Sequence, residues 1–209
     1  MQTDKIHISE LGEGAESLLD SSERYADYMK LGKKSALQLR LLCEETLGML
    51  KEIVGTYDAD IWIESNGDET EIHAELQTEM DREKRAKLLG VSSTGKNFLA
   101  KGIMGKIREV VELSLMEENI SERMTDYDIL QMGYANMPYD SMSMSKPFAG
   151  AYVWSLANYK NTIDEGREDD DKYKEAWDEL EKSIIANIAD DVKIGIKDYK
   201  VTMIISKKF

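Results

Sequence analysis

Asn66-Gly67 stands between two stretches in which apolar and polar residues alternate, and few structures satisfy that arrangement. Before it, Ile61 and Ile63 fall on one side of an extended chain and Trp62 on the other. After it, Ile72, Ala74, Leu76 and Thr78 alternate with His73, Glu75, Gln77 and Glu79. A period of two marks a half-buried strand, and Asn-Gly suits the two left-handed positions of a tight hairpin turn. The segment predicts a β-hairpin with one apolar face. An isolated hairpin is marginal in water, so other elements must cover that face.

The flanking sequence supplies them. Ile6 and Ile8 alternate with Lys5 and His7 as a short strand, broken by Gly12-Glu13-Gly14. A helix follows, with Leu18, Tyr25, Ala26 and Met29 on one face, and Leu31-Gly32 ends it. A second helix, from about Ser35 to Ile53, carries Leu39, Leu42, Cys43, Thr46, Leu47 and Leu50 at helical spacing, and Gly55 closes it. Val192, Ile194 and Ile196, then Val201, Met203 and Ile205, form another alternating pair with a turn near Asp198. A helix with Tyr173, Trp177, Leu180, Ile184 and Ile188 in its stripe precedes that hairpin.

Between the hairpins the signals are more mixed. Asp81 to Leu89 reads as a short charged helix or loop, and hydroxyl residues Ser92-Ser93-Thr94 suit the cap of a helix carrying Phe98, Leu99, Ile103, Ile107, Val110 and Val111. Tyr134 to Pro147 holds both prolines and reads as irregular. Phe148 to Tyr159 predicts a short helix, and Asp164 to Asp171 an acidic linker. The expected fold is α+β: a two-layer sandwich of a mixed sheet with helices on one face. The core comprises residues 1–116 and 173–209, with 117–172 as an insertion, partly helical and partly irregular.

Charge narrows the partners. The chain has 209 residues, 41 acidic against 27 basic, and a formal net charge of −14. Such a field repels phosphate backbones and anionic lipid, which argues against nucleic acid and membrane surfaces as partners. No run approaches the length of a membrane span, the polar start Met1-Gln2-Thr3-Asp4-Lys5 lacks a secretory pattern, and a cytoplasmic location is expected. Cys43 is the one cysteine, in an apolar helical stretch, and reads as a buried inert thiol. His7 and His73 are the two histidines, each in a strand pattern with no second ligand close in sequence, so no metal site is expected.

The stretch Leu39-Arg40-Leu41-Leu42-Cys43-Glu44-Glu45-Thr46-Leu47-Gly48-Met49-Leu50, followed by two strands, resembles the ATP-contacting helix of the histidine-kinase-like ATPases, anti-sigma factors in particular. In that family a Glu and an Asn one turn apart share a helix face, the Asn helping to hold Mg²⁺ and the Glu acting as a base for water. The second strand ends in an Asp that reads adenine, and a Gly-x-Gly turn caps a helix against the phosphates. Carried across, the resemblance puts Glu44 at the Glu position and Gly48 at the Asn position. It places Thr78 (or Glu79 or Asp81) at the adenine-reading position, and Gly95, Lys96 and Asn97 at the phosphate turn, with Asn97 for the second glycine.

Glycine offers no metal ligand, and Thr78 lacks the carboxylate that accepts strongly from an amino group. The resemblance therefore implies a regulatory or interaction protein on a degenerate ATPase scaffold, with no cofactor expected, a protein partner, and a homodimer left open. The alternative it implies is an active anti-sigma-type serine kinase or ATPase using ATP and Mg²⁺, with Glu44 catalytic. Gly90 to Asn97 also approaches a P-loop, but its final hydroxyl is replaced by Asn97 and no buried strand precedes it. A capped helix start, with Lys96 beside it, is the favoured reading there.

Overall fold

The computed structural model describes residues 1–9, 12–54, 58–66, 68–77, 152–166, 171–197 and 200–209, with the backbone alone for 51–54, 152, 172, 196 and 197. In chain order the described elements are β1 (Ile6–Ile8), α1 (Ala15–Tyr28), α2 (Lys33–Val54), β2 (Ala59–Asn66), β3 (Glu69–Gln77) and β4 (Tyr152–Ser155). They continue with α3 (Leu156–Gly166), α4 (Asp171–Lys182), α5 (Ile184–Ile188), β5 (Asp191–Lys197) and β6 (Lys200–Lys208). Thr78, Glu79, Asp81 and everything from there to 151 lie outside the described residues. They include the helix expected after Gly95, the near-P-loop Gly90 to Asn97 and the irregular stretch to Pro147.

All six strands form one sheet in the order β1-β2-β3-β6-β5-β4. The predicted hairpin is present, with Ile61 facing Ala74 and Ile63 facing Ile72. The terminal hairpin joins the same sheet through β6, which pairs with β3 so that Ile72 meets Ile205 and Ala74 meets Met203. The α+β class stands, but every pairing is antiparallel, so the sheet is not mixed. The reason lies in the connections. Two-residue connections, with Asn66 opposite Glu69 and Lys197 opposite Lys200, return the chain directly within each hairpin and make those pairs antiparallel.

Alternation sets the core. Ala59, Ile61, Ile63, Ile72, Ala74, Leu76, Val192, Ile194, Val201, Met203 and Ile205 share one sheet face and join Leu18, Tyr25, Leu39, Leu42, Cys43 and Leu50 of the helices in one buried cluster. Burying each of the Val, Leu, Ile and Met side chains among them stabilises the fold by about 1.5–3 kcal/mol. The entry to α1 depends on Gly14, whose φ is +89° and where a Cβ would lie 2.2 Å from the His7 carbonyl oxygen. Only glycine fits there.

Two expectations are corrected. Phe148 to Tyr159 is not one helix: Tyr152–Ser155 is an edge strand paired with β5, and the helix begins at Leu156. Trp154 is fully buried in the core, and Asp191 on β5 accepts hydrogen bonds from the Ser155 hydroxyl (3.0 Å) and the Ala157 amide (3.0 Å), which pins the strand-to-helix corner. Residues 152–166, within the segment expected as an insertion, are thus part of the sheet and its helical layer. The single helix expected over 173–188 breaks at Ser183, which is extended and caps α5 by accepting from the Ala186 amide. That break turns Ile185 into the core and leaves Ile184 47% exposed.

Candidate functional site

The buried stripe of α2 decides what its other side presents. Leu39, Leu42, Cys43, Thr46, Met49 and Leu50 are buried, and the Thr46 hydroxyl is satisfied by donating to the Leu42 carbonyl oxygen at 2.6 Å. Arg40, Glu44 and Gly48 then follow one another at one-turn spacing outside that stripe. The Arg40 guanidinium bridges two carboxylates: its Nη1 donates to Glu23 on α1, and its Nε lies 3.3 Å from Glu44. The Glu44 side chain is 43% exposed.

Gly48 completes the row with no side chain at all. A Cβ placed there would meet nothing within 4 Å, so the space beside this turn of α2 is open. Of the residues that the family resemblance assigns to a nucleotide site, the structure brings Glu44 and Gly48 together on one helix face. Thr78 follows directly on the end of β3 but, with Gly95, Lys96 and Asn97, lies outside the described residues.

A different group of polar side chains lies on the opposite face of the sheet, and the alternation pattern alone did not reveal it. Glu71 and His73 share that face of β3, and the hairpin register sets Glu64 of β2 directly opposite Glu71 and Trp62 opposite His73. His73 Nε2 lies 3.0 Å from Glu71 Oε2 and 3.9 Å from Glu64 Oε2. The Trp62 ring stacks on the imidazole at 4.9 Å with 9° between planes, and the Lys5 ammonium sits 3.9 Å from the Trp62 ring centroid. This face was expected to be wet, yet Trp62 and His73 are both buried. Counting outward from Asn66-Gly67 as the turn would pair Glu64 with Glu69; the observed register sets Asn66 opposite Glu69, and that shift is what brings Glu64 opposite Glu71.

Charge pairs surround this face. Burial raises the Glu75 carboxyl, but Lys200 (3.0 Å) and Lys5 (3.4 Å) outweigh that and hold it below the ordinary carboxylate range. On the other side of the sheet Asp190 is shifted the same way: burial opposes, and Lys207 together with the Lys208 amide prevails.

Compared with protein-family models, with curated proteins and with solved structures, the chain matches none. No helix among the described residues is long and apolar enough to cross a membrane.

Proposed function

We propose that the chain is a regulatory or protein-interaction protein on a histidine-kinase-like ATPase scaffold, with ATP binding weakened or lost. The scaffold reading is supported by the order strand, two helices, hairpin and closing hairpin in one sheet. The observation that carries the loss of nucleotide is Gly48. It occupies the turn after Glu44, where a cation ligand is required, and has open space in place of a side chain. Glu44, the remaining member of the pair, is engaged by Arg40. Each missing contact of about 1–3 kcal/mol weakens affinity roughly fivefold to 150-fold. Tyr28 (68% exposed) and Leu37 (58%), near the α1–α2 connection, supply apolar surface for a protein partner.

The same open space favours one second reading. No described residue comes within 4 Å of a Cβ placed at Gly48, so an active anti-sigma-type serine kinase or ATPase is the alternative. In it Glu44 is the base, Gly95 and Lys96 contact phosphates and Asn97 replaces the missing metal ligand. Phosphate release from Mg²⁺–ATP by the full chain tests the choice. The proposed function predicts release at the level of buffer, unchanged in Glu44→Ala; turnover that disappears in Glu44→Ala establishes the alternative.

A further inference from the structure

We propose that Glu64, Glu71 and His73 form a binding site for one divalent first-row transition ion, of the Zn²⁺ class, on the face of the sheet opposite the described helices. One ligand atom from each of the three lies within 4.8 Å of the other two. Ligands held about 2.0–2.2 Å from a single zinc ion lie roughly 3.0–3.5 Å apart. The His73–Glu71 distance of 3.0 Å already matches, and the His73–Glu64 distance of 3.9 Å closes by a small rotation of Glu64, whose side chain is 34% exposed.

The surroundings orient these ligands. Asn66 Nδ2 donates to Glu71 Oε1 at 3.0 Å, which leaves Oε2 turned toward the imidazole. Trp62 Nε1 donates to Glu64 Oε2 at 3.1 Å, and the stacked Trp62 ring fixes the imidazole plane. Partners of this kind set ligand direction in metal sites. Two carboxylates with one imidazole nitrogen favour a borderline ion over Mg²⁺ or Ca²⁺, which take oxygen ligands. Three protein ligands leave a coordination position for water or a further ligand.

The other histidine shows the contrast. His7 faces Asp60 with Nδ1 at 3.1 Å and Asp58 with Nε2 at 3.8 Å. Its two carboxylates therefore sit on different ring nitrogens and cannot converge with the imidazole on one ion. At His73 both carboxylates address the same nitrogen.

Titration of the chelator-stripped full chain with Zn²⁺ tests the site. The expected result is one ion per chain, undisturbed by millimolar Mg²⁺, with affinity falling more than tenfold in both His73→Gln and Glu71→Gln and unchanged in His7→Gln. Glu64→Gln, at the most exposed ligand, gives the same loss if the buried variants fail to fold. In the unmutated chain, the imidazole NMR resonances of His73 shift on Zn²⁺ addition and those of His7 do not. Absence of saturable uptake, uptake that persists in Glu64→Gln, or a shift confined to His7 would overturn the proposal.

Discussion

Cys43 and Gly48 occupy one helix and have opposite environments. Cys43 lies on the buried stripe, and burial pushes its thiol up to about 12, so the nucleophilic thiolate is scarce at neutral pH. A disulfide reagent at pH 8 is expected to react with the native chain at least a hundredfold more slowly than with the urea-unfolded chain; equal rates would show that the stripe is misassigned. Cys43 was legible in the sequence because helical spacing alone placed it among leucines. The partners of His73 were not, because Glu64 lies on another strand and only the register joins them. The open space at Gly48 was equally invisible, since spacing fixes which face a residue takes and not what stands opposite it.

At the scale of elements, among the described residues the alternating segments and the long stripe of α2 formed as their patterns dictate. β2, β3, β5, β6 and α2 follow from alternation or helical spacing. β4 was hidden because four residues are too few to show a period, and what holds them is tertiary: pairing with β5 and the Asp191 carboxylate at the corner. Trp154 on β4 is fully buried and tilts against Tyr159 of α3 at 5.9 Å between ring centroids. Trp154→Ala is therefore expected to destabilise the whole fold by about 3–5 kcal/mol in urea unfolding. A loss under about 1 kcal/mol would mean that β4 and α3 are peripheral to the core. The break at Ser183 carries the same lesson, since a continuous apolar stripe did not reveal a serine that caps a new helix in mid-stripe.

Across the described residues, one sheet carries the helices and apolar core on one face and a network of charges around Trp62 and His73 on the other. That asymmetry has a pH signature. Glu75 has a folded pKa below its ordinary value of 4.5, so its pairing with Lys200 and Lys5 stabilises the fold above that value, and the contribution is lost as pH falls through the folded pKa. The stability gap between the unmutated chain and Glu75→Gln, followed by urea unfolding, should be largest near pH 7 and close in acid. A gap that is constant with pH would assign Glu75 no ionic role. The central proposal is that a histidine-kinase-like scaffold is kept while Gly48, one turn after Glu44 on α2, offers no cation ligand. Calorimetric titration of the full chain with Mg²⁺–ATP tests it most directly. The account predicts no saturable heat at micromolar nucleotide; micromolar binding that disappears in Glu44→Ala would contradict it.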